Sequence, residues 1–526
     1  MQLAIAHYHL DSGGVTQVIR NQLRALAACP AASRPERVVV LYGGRRGGWP
    51  APQPDETPPF ELELVPVAEL EYSESASARP DAMADRLHQV LGDHGMKVDQ
   101  TLIHFHNHSL GKNGSVPGAL ALLADRGYRL LLQVHDFIED FRPANYRRLE
   151  RSLGLRDPQA IARVQYPQNP SIHYATLTTR DSDLLLQAGV AAERVHLLPN
   201  PVVDFHKAPP RDEARARVAQ RLGLKQGQRL LVYPVRGIRR KNLGEMLLHA
   251  ALDGGQTMAA LTLPPISPVE LPSYDRWHGL SERLRLPCRF DIGGLGRLEY
   301  EDSLAASDAL LTTSVAEGFG LVFLEAWLAG RPLTGRNLPE ITGDFETLGM
   351  RFDLLDPDIK LPVDWLPIDE VREAIGELHE WVCRDYGFAT DGAPLADERQ
   401  AQLAAIGAEG TIDFAQLPTH WQADVVTRIR QEGASAIDRV LELNPTVAAG
   451  LKATAQSHRE TIESNAAVVR QHYSPQSIGG KLCATYAAVQ EAPAGPCAAD
   501  QGVVDGAVIL RHYLRADRLH PVRTEA

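Results

Sequence analysis

The segment most informative about the fold reads SVAEGFGLVFLEAWLAGRP and runs from Ser314 to Pro332. The apolar run before it predicts a strand, Gly318 and Gly320 predict a tight turn, and the helix that follows ends at Gly330. Glycines let a backbone approach a ligand closely, and the start of a helix offers unpaired N–H groups and positive dipole charge. The segment therefore predicts a cradle for a diphosphate.

Two glutamates belong to this segment. Glu317 lies in the predicted turn, and Glu325 lies in a helix whose other residues are almost all apolar. An ionised carboxylate on so apolar a helix is costly unless a donor hydrogen-bonds it, and sugar hydroxyls are suitable donors. The alternative is a helix at a domain surface, with Glu325 simply solvated.

Short apolar runs alternate with helical patterns on both sides of this segment, which is typical of parallel α/β sheets. The first series predicts strands over residues 2–9, 37–42, 62–67, 101–105, 129–134 and 172–177, and helices over residues 16–28, 81–93 and 116–126. The second series predicts strands over residues 230–235, 258–263, 288–292 and 309–313. The fold class is therefore α/β, with two sheets.

A linker separates the two series. Two prolines and an asparagine interrupt residues 197–204, so we expect a domain boundary near residue 205. The N-terminal domain then covers residues 1–205 and the C-terminal domain covers residues 206–473. Residues 350–470 have a mostly helical pattern and form an insertion in the second domain.

Two further turns follow predicted strands. Residues 236–241 read RGIRRK at a strand end, where open α/β sheets bind ligands and where fixed cations could stabilise a leaving diphosphate. A solvated basic turn is the alternative, and we expect this of Arg239 and Arg240. Gly13 and Gly14 open a helix after the first strand without the GxGxxG spacing of a dinucleotide site.

Histidines follow two strands of the first series. His135 ends the strand before Asp136, and His104, His106 and His108 alternate along an extended segment. Histidines on one face of a strand are common metal ligands, so this cluster leaves a metal-dependent hydrolase open as a less favoured alternative. A structural role is equally compatible with a histidine at a strand end.

The composition excludes several classes of protein. The chain has 526 residues, a formal net charge of −12 and five cysteines without a CxxC pair. Nucleic acid is an unsuitable partner for such an acidic chain. The cysteine spacing fits a reducing cytoplasm, and we expect neither a signal peptide nor a transmembrane segment. The composition does not indicate an oligomeric state.

The segment containing the two glutamates resembles the E-x7-E element of GT-B glycosyltransferases, especially glycosyltransferase family 4. The flanking residues 293–308 and 339–341 resemble that family too. The resemblance implies that Glu317 contacts hydroxyls of the transferred sugar and that Glu325 holds the ribose of the nucleotide. It also places the donor phosphates near the backbone of Gly318, Phe319, Gly320 and Leu321.

The resemblance assigns roles to the other turns as well. The family pairs an arginine with a lysine five residues later on the donor diphosphate, and here these residues are Arg236 and Lys241. Gly13 and Gly14 face the donor phosphates, and His135 lies near the transferred sugar. His106 and Asn107 are candidates to line the acceptor side.

A GT-B fold consists of two Rossmann-like domains facing a central cleft, and the resemblance covers residues 1–345 and the chain end. Residues 474–526 are candidates to pack back on the first domain, and residues 350–470 exceed what the family needs. The implied reaction is retaining transfer of a sugar from a UDP-, GDP- or ADP-sugar to a hydroxyl of a soluble acceptor. It requires neither a metal nor another cofactor.

Two alternative functions remain open besides the metal-dependent hydrolase. A GT-B sugar phosphorylase would bind inorganic phosphate in the same cradle. A non-catalytic sugar or nucleotide binder could keep the fold without the chemistry, although the joint presence of His135, Glu317, Arg236 and Lys241 argues against it.

Overall fold

The computed structural model describes residues 1–50, 58–75, 77–205, 209–294, 298–388, 393–496 and 502–524. The Gly- and Pro-rich residues 43–59, which the sequence predicts to be a loop, lie partly outside these ranges, and Leu295 of the family-like flank and Cys497 lie wholly outside them. The chain forms two compact units. The first unit comprises Met1–Val203, Trp381–Thr390 and His472–Arg515, and the second comprises Asp204–Glu380, Asp391–Gln471 and Ala516–Ala526.

The described strands are, in chain order, β1 (Gln2–His7), β2 (Arg37–Tyr42), β3 (Glu61–Pro66), β4 (Thr101–His106), β5 (Arg129–Val134), β6 (Ile172–Thr176), β7 (Val195–Leu197), β8 (Arg229–Arg236), β9 (Thr257–Leu263), β10 (Cys288–Arg289), β11 (Ala309–Thr312), β12 (Leu333–Arg336), β13 (Leu355–Asp356), β14 (Lys360–Pro362) and β15 (Thr411–Asp413).

The described α-helices are α1 (Gly14–Ala27), α2 (Pro80–Asp93), α3 (Ser115–Asp125), α4 (Pro143–Leu153), α5 (Pro158–Gln165), α6 (Thr179–Gln187), α7 (Arg211–Leu222), α8 (Leu243–Leu252), α9 (Leu271–Arg283), α10 (Tyr300–Ala306), α11 (Val322–Leu328), α12 (Pro339–Glu346), α13 (Ile368–Asp385), α14 (Ala393–Ala405), α15 (Thr419–Glu432), α16 (Ala434–Leu443), α17 (Pro445–Gly450), α18 (Arg459–His472), α19 (Pro475–Glu491) and α20 (Gly506–Tyr513). In the described part of the chain, none of them has the length and apolar character needed to cross a bilayer.

The first unit contains a seven-stranded parallel sheet in the order β3-β2-β1-β4-β5-β6-β7. Its inner strands are buried along almost their whole length because helices cover both faces of the sheet, whereas the edge strands β3 and β7 are partly exposed. Leu3 and Ile5 of β1 pack with residues of α1 and α19, whereas Ala4 and Ala6 pack with residues of α2, α3 and α20. The last helices thus complete the core of the first unit.

One close contact of α19 concerns two cysteines. The thiols of Cys29 and Cys483 lie 3.2 Å apart and both are free. A Cβ on Gly479 would lie 2.4 Å from the carbonyl oxygen of Ala25, so this glycine allows α19 to approach α1.

The second unit contains a six-stranded parallel sheet in the order β10-β9-β8-β11-β12-β13. Every residue of α8 is buried, because this helix contacts α9, α15 and α16 as well as the sheet. The predicted helical region at residues 350–470 is mostly helical, and it also contains β14 and β15, which pair antiparallel.

The structure confirms the α/β class with two parallel sheets and changes several details. The short strands β7, β12 and β13 were not predicted. Residues 423–443 have helical spacing throughout, but they do not form one helix, because Gly433, with a φ of 66°, separates α15 from α16. The helix after Gly320 is shorter than expected and covers Val322–Leu328.

Candidate active site

In the second unit, two loops at the carboxyl ends of the paired strands β8 and β11 contact each other. The hydroxyl of Thr313 donates to the carbonyl oxygen of Lys241 at 2.8 Å, and Val315 N donates to Arg240 O at 2.9 Å. The hydroxyls of Tyr233 and Ser314 are 2.7 Å apart. These bonds fix the two loops relative to each other.

The two loops bring Lys241 and Glu317 into a direct ion pair. The two residues are only 8% and 9% exposed. Burial opposes ionisation of Glu317, but the charges of Lys241 and Arg240 outweigh it, so the pKa of this carboxyl lies below its usual value. The pair therefore presents a fixed cation beside a fixed carboxylate, which suits a phosphate next to a sugar hydroxyl.

Arg236 ends β8 but is not part of this pair. Its half-buried guanidinium donates to Pro264 O at 2.8 Å, and none of the described carboxylates lies within 4.0 Å of it. Burial lowers its pKa. A guanidinium without a carboxylate partner is available to bind a phosphate group.

Arg239 and Arg240 are not the solvated pair expected from the sequence. The guanidinium of Arg239 pairs with Glu270 at 3.3 Å, and its backbone N–H donates to the same carboxylate at 2.7 Å. Arg240 is half-buried and its charge acts on Glu317.

The turn before α11 needs Gly320. Its φ is 75°, and a Cβ there would lie 2.5 Å from Cδ2 of Phe323. The side chain of Phe319 is buried edge-on against Phe345, and Leu321 O accepts from Glu325 N at 2.8 Å.

Glu325 stands apart on α11, where the other six residues are buried. Its carboxylate accepts a 3.0 Å hydrogen bond from the hydroxyl of Tyr300, and burial raises its pKa. The alternative that Glu325 is simply solvated is therefore wrong. The sequence assigned no role to Tyr300, because only the fold brings α10 beside α11.

A buried ion cluster lies next to the Lys241 loop and was not predicted. The guanidinium of Arg336 bonds Glu245 at 2.7 Å and Asp413 at 2.8 Å, and all three side chains are buried. The amide of Asn242 donates to Glu245 at 2.8 Å while its own φ is 46°. The cluster thus anchors the residue that follows Lys241 in an unusual conformation.

In the first unit, Gly13 precedes α1 and Gly14 begins it. A Cβ on Gly13 would have no neighbour closer than 3.9 Å, and one on Gly14 would have none within 4 Å. Packing of the described residues therefore does not require glycine at either position, whereas the close approach of a ligand would.

The carboxyl ends of β4 and β5 bring His106 and His135 together. Nδ1 of His106 lies 2.9 Å from Nε2 of His135, and both rings are buried. Burial lowers the pKa of His135 to about 4 and lowers that of His106 strongly. Both rings are therefore neutral near pH 7, so that one donates and the other accepts.

Asn107 follows His106 with a φ of 64°. Its side chain accepts from Asp136 N at 3.1 Å and donates to the Asp136 carboxylate at 3.3 Å. Arg142 bonds that same carboxylate at 2.6 Å. Asn107 thus ties the two strand ends together, which the sequence did not reveal.

The other histidines of the predicted cluster lie in different surroundings. His104 bonds Tyr486 at 2.9 Å and Gln133 at 3.0 Å, so both of its nitrogens are engaged. The ring of His108 lies beside Tyr166 and Tyr174. The described residues include no group of three or more His, Cys, Asp or Glu side chains that could hold a metal ion.

Comparison with known proteins supports the fold. No model of a known family matches the chain. The chain is 26% identical, over 356 residues, to the mannosylglucosyl-3-phosphoglycerate synthase of Petrotoga mobilis. That match spans 66% of this chain and 66% of the relative, so about a third of the relative lies outside it.

Solved structures match over most of the chain. Anabaena HepE, in complex with UDP and glucose, matches with a TM-score of 0.52 and 13% identity, covering 93% of this chain and 99% of that one. Sucrose-phosphate synthase from Thermosynechococcus elongatus matches with a TM-score of 0.51 and 14% identity, covering 93% and 98%. The chain therefore has the GT-B glycosyltransferase fold.

Proposed function

We propose that the protein is a retaining glycosyltransferase that moves a sugar from a nucleotide-diphosphate sugar to a hydroxyl of a soluble acceptor. The observation that carries this proposal is the buried Lys241–Glu317 pair at the carboxyl ends of β8 and β11. Among matching structures, HepE is described in complex with UDP-glucose. Membership of glycosyltransferase family 4 stays part of the proposal.

We assign the donor to the second unit. Lys241 and Arg236 neutralise the diphosphate, and Glu317 accepts hydrogen bonds from hydroxyls of the transferred sugar. Glu325, oriented by Tyr300, holds the ribose. Backbone groups at Gly318, Phe319, Gly320 and Leu321 lie near the phosphates. Because these cations neutralise the diphosphate, the reaction requires no metal.

We assign the acceptor and the sugar-facing groups to the first unit. His135, held by His106, contacts the transferred sugar, and His106 and Asn107 border the acceptor. The backbone at Gly13 and Gly14 allows close approach of the donor phosphates, because neither position is filled by a side chain.

The proposed reaction keeps the configuration at the anomeric carbon. The bond from that carbon to the diphosphate oxygen breaks, and its electron pair leaves with the diphosphate. The acceptor oxygen then bonds the carbon on the same face, and its proton passes to an oxygen of the departing phosphate. Electrostatic stabilisation of the leaving diphosphate by fixed cations is the main contribution of the protein.

The first test identifies the donor and the contribution of the cations. Thermal unfolding is measured with UDP-, GDP- and ADP-sugars, and turnover is then measured with the donor that stabilises the protein. Removing one fixed cation is expected to lower turnover about 100-fold or more, so Arg236→Gln should do so. Lys225→Ala, an exposed lysine of the same unit, should leave turnover unchanged.

Lys241 needs a special control because its partner is buried. Lys241→Met leaves the charge of Glu317 buried and unpaired, which costs about 3–5 kcal/mol of stability. The double variant Lys241→Met with Glu317→Gln removes both charges and should fold better, yet should remain inactive. Near-wild-type turnover of folded Arg236→Gln and of this double variant would contradict the proposed function.

A further inference from the structure

A cavity of about 410 Å³ lies in the first unit, beyond the end of β3. The residues of its wall include Ser73, Ser75, Ser77, Ser115, Tyr72 and Arg79. It also contains Glu69 and Glu71, but both of these carboxylates have arginine partners. Glu71 pairs with Arg45 at 2.5 Å and Glu69 with Arg86 at 3.7 Å. The cavity is therefore polar and its acids are neutralised.

Lys112 lies against two residues of the cavity wall, Tyr72 and Ser73. Its ammonium lies 5.2 Å over the centre of the Tyr72 ring, and its carbonyl accepts from Ser73 N at 2.9 Å. Both of these contacts are to residues of the cavity wall. No carboxylate of the described residues lies within 4.0 Å of the Lys112 ammonium.

Other cations act on Lys112. Burial, Arg148 and Arg142 lower its pKa, and only Glu74 acts in the opposite direction. Arg148 pairs with Glu74, whose side chain is 80% exposed, and Arg142 pairs with Asp136 at 2.6 Å. Two like charges and partial burial thus surround an ammonium that has no close counter-ion, which an anionic ligand would relieve.

Arg79 supplies a second cation. It is exposed, it lines the cavity, and within the described ranges it has no carboxylate within 4.0 Å. Its backbone N–H donates to the hydroxyl of Ser115 at 2.9 Å, which fixes this end of the wall. One cation without a carboxylate partner, Arg79, therefore lines the cavity, and a second, Lys112, lies against its wall.

We propose that this cavity binds the anionic part of the acceptor, a phosphoester that also carries a carboxylate, with Lys112 and Arg79 as its cationic contacts. This inference rests on the proposed function, because it names the acceptor class of the same enzyme. The product named for the Petrotoga relative contains a 3-phosphoglycerate group, and such a group has the two anions that this pair of cations suits.

The direct test measures binding without any reaction. 3-Phosphoglycerate is titrated into the full chain by calorimetry, with glycerol as the neutral probe and glycerate as the probe without phosphate. We expect 3-phosphoglycerate to bind best and glycerol not to bind. Lys112→Met should weaken binding of 3-phosphoglycerate at least tenfold and Lys112→Arg should largely retain it, whereas Lys97→Met, an exposed lysine of the same unit, should not change it.

A second measurement uses acceptors. Glucosyl-3-phosphoglycerate is compared with methyl glucoside, using the donor found by thermal unfolding. We expect Lys112→Met and Arg79→Gln each to raise KM for the phosphorylated acceptor and to leave donor affinity unchanged. Equal 3-phosphoglycerate binding by wild type and Lys112→Met, or no binding by wild type, would overturn the proposal. Donor binding is measured separately by thermal unfolding. If the proposed function itself were wrong, no nucleotide sugar would stabilise the protein.

Discussion

At the scale of single residues, three buried histidines make the stability of the first unit depend on pH. Burial lowers the pKa of His7 and of His104 to about 3 and that of His135 to about 4, from an ordinary value of 6.5. As the pH falls below 6.5, the unfolded chain takes up these protons but the folded unit does not. The contribution of these histidines to the stability of the unit is therefore fully present above pH 6.5 and is lost progressively between about pH 6.5 and pH 3.

We expect the free energy of unfolding to fall steeply between pH 6.5 and pH 5. Three such histidines correspond to roughly 4 kcal/mol per pH unit. Urea unfolding at several pH values, followed by fluorescence, measures this slope. His104→Gln, which keeps hydrogen-bonding groups beside Tyr486, should reduce the slope by about one proton. A free energy that does not change from pH 7 to pH 5 would contradict the expectation.

Site residues in loops that directly follow strands could be predicted from the sequence. Lys241 and Glu317 were both singled out because each follows a strand end, and the structure joins them. The cluster of Glu245, Arg336 and Asp413 was not found, because Glu245 lies inside a helix and the short strands that end at Arg336 and Asp413 were not predicted.

At the scale of elements, the turn between β11 and α11 depends on one backbone conformation. Gly320→Ala adds a Cβ at a φ of 75° and within 2.5 Å of Phe323. We expect it to lower stability by about 1 kcal/mol or more and to weaken donor binding. Gly343→Ala in α12 meets no atom within 4 Å, so it should be neutral or stabilising by about 0.5–1 kcal/mol.

Thermal unfolding with and without the nucleotide sugar distinguishes these two glycine variants. Equal melting temperatures for both would show that the turn tolerates a side chain. The same turn illustrates what the sequence contains at this scale, because its two glycines and the apolar helix after them predicted a strand, a turn and a helix in the right order.

Short elements escaped prediction for a physical reason. Strands β7, β12 and β13 have three, four and two residues. Their sequences also lack the apolar run that revealed β11, which is equally short. The break at Gly433 was missed because the apolar spacing continues across it in α15 and α16. Long apolar strands such as β2 and β5, in contrast, were predicted with their observed bounds.

At the scale of the whole molecule, the chain returns to its first unit after building most of its second. Ile478, Leu482, Tyr486 and Val489 of α19 are buried in the core beside α1. Burial of such a side chain contributes roughly 2 kcal/mol, so α19 is a substantial part of this core. The sequence alone suggested that the last helices pack on the first domain only through the family resemblance.

We therefore expect α19 to be essential for the first unit. Leu482→Asp places a charge in that core and should lower stability by about 4 kcal/mol or more, or make the protein insoluble. Ala484→Asp puts the same charge at an exposed position of the same helix and should change stability by less than about 1 kcal/mol. Soluble yield and the urea midpoint of both variants measure the difference, and equal values would place α19 outside the core.

The long stretch of chain between the first sheet and α19 has a consequence for biosynthesis. The ribosome delivers the last strand of the first sheet, which ends at Leu197, long before the helix that covers one face of that sheet, which begins at Pro475. Because synthesis adds about 5–20 residues per second, that apolar face stays uncovered for tens of seconds. The nascent chain is then a natural client for chaperones, whatever the stability of the finished protein.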